Sequence, residues 1–329
     1  MRTPLELGAW RLRDLLYLRR SLAHFRRHGQ PLDFPFKVQL QTQSRCQARC
    51  PICPYPARAR ELPHGAMEDA LLERLLHELA AAPLLDELVF MLQNEPLLDR
   101  RLFERIGAFK RLAPAKRCSL ATSGELLDRF SPDELAASGV DELLVSVNAA
   151  SPATFAALTG GLSFERVCAG VERLLADPRL RARVVVGFVL TEASRRELPA
   201  ALWRWTRAGA RVRVTQLSNR GGDLEGFERL RPSTAPGGLA GRLAADLHRR
   251  AARRLLGPCP FPFYALSVLH DGAVLLCCHD WRRALLVGDA RAQSLREIWL
   301  GPELQRARRA LVDDRRQELP GCVACSTRA

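Results

Sequence analysis

Cys46, Cys50 and Cys53 place three thiols within eight residues of the stretch QLQTQSRCQARCPICPYP (Gln39–Pro56), spaced CxxxCxxC, and the next cysteine is Cys118. Thiolates are metal ligands, and a structural zinc ion takes four donors, so three of them leave zinc short unless a residue such as His64 joins. A four-iron, four-sulfur cluster offers four irons, and three thiolates then leave one iron open to an outside ligand. A second group, Cys259, Cys277, Cys322 and Cys325, follows C-x17-C-x44-CxxC. A zinc ribbon has two close pairs, whereas only the last pair is close here. Cys278 is left over beside Cys277, and neighbours along a strand face opposite ways, which disfavours joint service to one cluster. Free cysteines pack as small apolar residues, the reading for Cys118, Cys168 and Cys278. The sharper reading of Cys278 is a catalytic thiol.

The elements that must position these thiols alternate. Lys37–Thr42, Glu87–Gln93, Arg117–Ser123, Glu142–Ala149, Arg183–Thr191 and Arg211–Asn219 read as strands, separated by amphipathic stretches such as Met67–Ala82 and Asp99–Ala113. Ser131-Pro132 and Ser151-Pro152 are helix starts, an N-cap followed by proline at the first helical position. Six β/α units in about 183 residues, with short apolar strands, predict an α/β fold: a parallel sheet covered on both faces, as in a partial (β/α)6 TIM-like barrel. The first cysteine loop then lies at the carboxyl edge of the sheet, where such folds build their sites. After Asn219 the alternation breaks. The predicted division is a basic helical segment over 1–36, the barrel over 37–225, a linker and helix over 226–258, and a small α+β module over 259–329 with a hairpin at Asp271-Gly272.

The chain has 329 residues, 47% of them hydrophobic, and a formal charge of +14. Its apolar runs are strand-length or interrupted by Arg and Glu, short of the roughly 18 residues of a membrane span. The Arg-studded start carries no secretory h-region, and ten cysteines in a chain of this size favour metal chemistry in a reducing cytoplasm over a disulfide scaffold. The positive charge is almost all arginine, the only lysines being Lys37, Lys110 and Lys116, which reads as compositional bias and makes a nucleic-acid partner a minor reading.

CxxxCxxC directly after the first strand of a β/α array resembles the radical S-adenosylmethionine (SAM) superfamily. The resemblance implies that SAM chelates the open iron of a [4Fe–4S] cluster and is cleaved to a 5′-deoxyadenosyl radical that abstracts hydrogen from substrate. Further positions can be compared singly. QNEP matches the family's GGEP at Glu95 and Pro96, with Gln93 and Asn94 in place of both glycines, so the resemblance makes Glu95 a candidate for holding the SAM amino group and Asn94 a further cofactor-binding candidate. ATSGELL is similar to the family's TNG stretch, with Ser123 for Asn; Ser146 and Asn148, two apart on the fourth strand, are candidates for the ribose or carboxylate. Ile52 stands where relatives often carry an aromatic and would pack on adenine. The C-terminal cysteines resemble the SPASM/twitch extension, which implies an auxiliary [4Fe–4S] cluster held by Cys259, Cys277, Cys322 and Cys325, one cluster of the twitch form, in a spacing similar to that of an aminocyclitol-oxidising twitch enzyme. The resemblance implies net oxidation of a small polar metabolite, with epimerase and ribosomal-peptide maturase as alternatives, and a zinc-stabilised nucleic-acid-binding protein as the alternative of another class. Asn219, Arg220 and Asp280 are candidates for substrate contact. A flavodoxin or ferredoxin would suit the basic surface as electron donor.

Overall fold

The computed structural model describes residues 5–7, 12–232 and 258–326, with only the backbone described for 5–7. The expected helix within 226–258 falls almost entirely outside the described residues.

Each apolar run of the β/α array forms a strand. β1 (Leu5–Leu7), β2 (Lys37–Leu40), β3 (Glu87–Val89), β4 (Arg117–Thr122), β5 (Glu142–Ser146), β6 (Val184–Leu190) and β7 (Arg211–Gln216) are joined by β8 (Ala265–Val268), β9 (Ala273–Leu275) and β10 (Leu286–Asp289). They form one sheet in the order β1-β7-β6-β5-β4-β3-β2-β8-β9-β10. β2 to β7 are parallel and follow chain order, with helices between them, so the barrel is partial and open. Val38, Leu88, Leu120, Leu143, Val186 and Val212 bury their side chains in the main core, against Leu75 and Leu79 of the helix Asp69–Ala81, Phe109 of Leu102–Leu112 and Val171 of Phe164–Ala176. Full burial of each aliphatic side chain contributes roughly 1.5–3 kcal/mol. Cys118 and Cys168 belong to this core.

The structure differs from the sequence expectation in three places. The N-terminal segment is not wholly helical: β1 pairs in parallel with β7, Leu5 opposite Val212, before the helix Leu12–His28 begins. The C-terminal module is not a separate sheet: β8 pairs in parallel with β2 from Lys37↔Ala265 to Leu40↔Val268, and β9 and β10 continue antiparallel. The strands also stop short of the apolar runs, because polar side chains capture backbone groups that a ladder would need. Gln43 Oε1 accepts from Arg45 N–H at 2.6 Å, Asn94 Oδ1 from Leu92 N–H at 3.2 Å and Asn148 Oδ1 from Val189 N–H at 2.9 Å.

At the amino end of the sheet, opposite charges face each other across neighbouring strands. Lys37 pairs with Glu87 at 2.7 Å, Arg117 lies 3.9 Å from Glu87 and 3.8 Å from Glu142, and Arg213 reaches Glu142 at 2.9 Å. Burial alone would raise the Glu87 pKa, but Lys37, the Ser119 hydroxyl and Arg117 outweigh it and hold the carboxyl at about 2. A depressed carboxylate pKa stabilises the fold above the unfolded value near 4.3, and that contribution is lost as pH falls toward the folded value. Glu87→Gln strands Lys37, while Arg117 keeps Glu142, and is expected to cost about 3–5 kcal/mol at neutral pH, as for a broken buried pair. Urea unfolding of both proteins checks this: the gap is expected to narrow between about pH 5 and 2.

Candidate functional site

The loop after β2 is fixed before any cysteine appears. Gln43 Nε2 donates to the carbonyl of Glu95 at 2.6 Å, and Glu95 N–H donates to the carbonyl of Arg45 at 3.0 Å, which stitches the cysteine loop to the loop after β3. Ser44 Oγ accepts from Gly65 N–H at 2.9 Å and closes the far side. The turn Cys50–Cys53 is held by Cys53 N–H donating to the Cys50 carbonyl at 3.1 Å. Gly160, in a left-handed conformation (φ 60°), lies so close that a Cβ there would sit 2.4 Å from the Arg49 carbonyl oxygen, so glycine lets the helix end pack on this loop. The Cys50 thiol donates to the Thr159 carbonyl at 3.6 Å.

Burial pushes the thiols of Cys46 and Cys50 up to about 12, and each feels the charge of Cys53. The Cys53 thiol is raised too, again by burial, with the Arg220 charge acting in the opposite direction. Three partly buried thiols within electrostatic reach of one another have no stable charged form without a cation; a metal group resolves this by displacing their protons. Among the described residues no three His, Cys, Asp or Glu side chains converge tightly enough for a single metal ion. A cubane carries its irons at separate corners, so its thiolates need not meet at one point.

Four thiols of the C-terminal module, Cys259, Cys277, Cys322 and Cys325, line one narrow gap with Phe261 and Leu285. Burial pushes Cys259 up to about 12 and Cys322 up to about 11, and raises Cys277 well above its ordinary value. A gap ringed by four sulfurs in an apolar setting fits an iron–sulfur cluster with every iron held by protein. Cys278 does not line that cavity. It packs with Leu92, Leu269 and Leu275, and burial raises its thiol to about 11.

The cofactor candidates divide by what already occupies them. Glu95 is buried; its Oε1 accepts from Thr122 Oγ1 at 2.6 Å and Leu97 N–H at 3.1 Å, and its Oε2 from Ser123 N–H at 2.8 Å. Each carboxylate oxygen has two acceptor positions, so Oε2 retains capacity for an ammonium donor. Ser123 and Glu95 are thereby brought together. Asn94 spends its Oδ1 on its own turn. Ser146 ends β5 beside Gly187. Asn148 does not continue the strand's alternation: its φ is 60°, and its Oδ1 caps β6, so a turn rather than a strand face sets its position. Ile52 is buried against Leu158, Leu217 and Leu224, beneath the cysteine loop.

Two of the three substrate candidates are committed to the fold. Asn219 Nδ2 donates to the Ala324 carbonyl at 2.5 Å, and its Oδ1 accepts from Ser326 N–H at 2.7 Å, fastening the end of the barrel to the residues around Cys325. Asp280 accepts from the N–H groups of Ala284 and Leu285 at 3.0 and 2.8 Å, ordering its own loop. Arg220 differs. Its backbone is left-handed (φ 50°), and its Nε is buried without a hydrogen-bond partner. The next residue, Gly221, abuts the module so tightly that a Cβ would lie 2.6 Å from the His279 carbonyl oxygen. The Arg220 charge counters the burial-driven rise of both Cys53 and Cys278, and after burial it is the further cause that pushes His279 down to about 3. The guanidinium therefore lies within electrostatic reach of Cys53 on the barrel side and of Cys278 and His279 in the C-terminal module.

Sequence reasoning missed the clamps. Gln93 Nε2 donates to the carbonyls of Cys278 (3.3 Å) and Asp280 (3.1 Å), and Asp223 accepts from Arg58 at 2.9 Å and Arg282 at 2.6 Å. Gln93 was visible only as a departure from a glycine.

Two family models match the chain: the Radical SAM superfamily over residues 40–198 and SPASM, an iron-sulfur cluster-binding domain, over residues 259–326. No curated protein sequence matches. The fold is similar to that of BtrN in complex with AdoMet and 2-DOIA, at TM-score 0.62 and 19% identity, covering 89% of this chain and 94% of that one. It is similar to Streptococcus suis SuiB bound to precursor peptide SuiA, at TM-score 0.68 and 14% identity, covering 89% and 70%. It is also similar to anSMEcpe with bound AdoMet, at TM-score 0.57 and 15% identity, covering 82% of each chain. No helix among the described residues is long and apolar enough to cross a membrane. Both cysteine groups thus fall within families of iron–sulfur proteins, which removes the support for a zinc-stabilised nucleic-acid-binding protein. The chain belongs to the radical SAM superfamily, with a C-terminal SPASM domain, and its cofactors are SAM, a SAM-binding [4Fe–4S] cluster and auxiliary iron–sulfur.

Proposed function

We propose that the protein oxidises a C–H-bearing carbon of a small polar metabolite, with Cys46, Cys50 and Cys53 holding the SAM-binding cluster and Cys259, Cys277, Cys322 and Cys325 holding one auxiliary cluster. When bound, these groups supply one-electron cleavage of SAM to methionine and a 5′-deoxyadenosyl radical that takes a hydrogen atom from substrate, and an acceptor for the second electron of a two-electron oxidation. The observation that carries the reading is the contrast between the two thiol groups. Three thiols on a loop leave a position for SAM, and four around a cavity leave none, which suits electron transfer over ligand binding. BtrN, described in complex with 2-DOIA, is matched over 94% of its length, whereas SuiB is matched over 70%. A reducing cytoplasm suits so many free thiols.

Glu95 and Ser123 are placed to hold the SAM amino group and the adjoining polar edge. Ser146 and the Nδ2 of Asn148 offer further contacts at the ends of β5 and the following turn, and Ile52 supports the loop from below. Arg220 is the substrate-side group, because Asn219 and Asp280 are spent elsewhere. Its fixed positive charge favours a hydroxyl-rich or anionic metabolite over one bearing an ammonium group, so a sugar fits better than an aminocyclitol.

A second reading rests on Cys278. A neutral, buried thiol at the seam with the barrel could return a hydrogen atom to a substrate radical, which is epimerisation. A peptide substrate is the other alternative, since SuiB is described with its precursor peptide and anSMEcpe with a Cp18Cys peptide.

Anaerobic reconstitution is expected to load about eight irons and eight sulfides per chain, and reduced protein with SAM is expected to form 5′-deoxyadenosine. Cys50→Ala should abolish that product; continued cleavage in the variant would refute the ligand assignment. Deuterated candidate metabolites separate the reactions: deuterium in 5′-deoxyadenosine with an oxidised product supports dehydrogenation, and Cys278→Ala should leave it unchanged. Solvent deuterium entering the product, and halted by Cys278→Ala, would establish epimerisation instead.

A further inference from the structure

The outer side of the cysteine loop carries a feature that neither cofactor nor substrate uses. Arg45, Arg49, Arg60 and His64 surround an open concavity of about 670 Å³ whose wall includes Cys46 and Tyr55, and no Asp or Glu lines it. All three arginines and His64 are exposed. None of the arginines pairs with a carboxylate among the described residues, and the nearby carboxylate of Glu61 is taken by Arg58 at 2.9 Å. None of Glu95, Ser123, Ser146 and Asn148 lines this surface, so the proposed SAM contacts do not open onto it.

The charges sit on a fixed base. The Arg45 carbonyl is held by Glu95 N–H, the Arg49 carbonyl packs against Gly160, and His64 Nε2 lies 2.6 Å from the Ala59 carbonyl. Three uncompensated like charges held together around one concavity repel each other. They are relieved by a partner of opposite sign, which also speeds encounter.

We propose that this concavity is the docking surface for an acidic one-electron carrier protein. The proposal rests on the radical SAM reading, in which the thiols of Cys46, Cys50 and Cys53 must receive an electron from outside. A carrier seated here is separated from them by the wall of a single loop, of which Cys46 is a part. The carrier loses one electron and becomes oxidised by one, the group held by the three thiols gains it, and no atom or proton is exchanged.

The test uses the reconstituted holoenzyme with a reduced acidic flavodoxin as the probe, and dithionite as a small reductant that needs no docking. The triple substitution R45E/R49E/R60E is expected to weaken flavodoxin binding by about 30-fold or more at low salt, and to lower the flavodoxin-driven rate of 5′-deoxyadenosine formation by a similar factor. Dithionite-driven cleavage should stay within about threefold of wild type, and so should flavodoxin binding by R45K/R49K/R60K, which keeps the charge. Each single Arg→Glu change should carry part of the loss, which guards against misfolding of the triple variant. Unchanged flavodoxin binding in the triple variant overturns the proposal. Loss of dithionite-driven cleavage in step with flavodoxin-driven cleavage overturns it too, by placing the arginines in the cofactor site. Binding of single-stranded RNA that disappears in the triple variant while flavodoxin binding persists would reassign the surface to nucleic acid. A wild-type protein that cleaves no SAM with dithionite refutes the functional reading itself, while the binding arm still judges the surface.

Discussion

Thiols that must share one inorganic group cannot hold themselves in place before the group arrives, because three buried thiols close together gain nothing from one another. Their arrangement has to be set by everything around them. In this chain that work falls to two buried amides, Gln43 and Gln93. Gln43 ties the start of the cysteine loop to the carbonyl of Glu95. Gln93 ties the loop after β3 to the carbonyls on either side of His279. An amide side chain buried with its hydrogen bonds made is worth roughly 1 kcal/mol each way, but one left unmade costs about 1–3 kcal/mol, so these links specify geometry more than they add stability.

The same logic explains why the C-terminal domain shares the barrel's sheet. β8 pairs with β2, the strand that leads into the first cysteine loop, and the chain after β7 is pinned by Asn219 to the tail around Cys325. Both ends of the barrel strand order are thereby coupled to the second cysteine group. Two redox groups separated by a flexible linker would sample many distances; two groups joined through a hydrogen-bonded sheet hold one. Arg220 occupies the resulting space with a buried Nε that finds no hydrogen-bond partner, a costly arrangement.

Charge is used differently at the two ends of the sheet. At the amino end Glu87 and Glu142 are enclosed by Lys37, Arg117, Arg211 and Arg213, and the pairing supports the fold. At the carboxyl end Arg45, Arg49, Arg60 and Arg220 have no carboxylate of their own among the described residues. The bulk positive charge, which reads as compositional bias in the sequence, is therefore unevenly spent.

Spacing within one loop and the alternation of apolar runs are local properties, and they were sufficient for the parallel order of β2 to β7, the position of the three thiols and the grouping of the other four. They were also sufficient for Cys118 and Cys168, since an apolar position in a regular element stays apolar when it packs. Local pattern could not tell which polar side chains remain free for a ligand, because that depends on partners far away along the chain. Asp280 lost its acceptors to its own loop, Asn219 to residues 324 and 326, and Asn148 to the far end of a neighbouring strand. Gln93, which looked like a missing glycine, became a clamp to residues 278 and 280. A hydrogen-bonding group has a few directional positions to fill, and only the folded chain decides whether protein or ligand fills them.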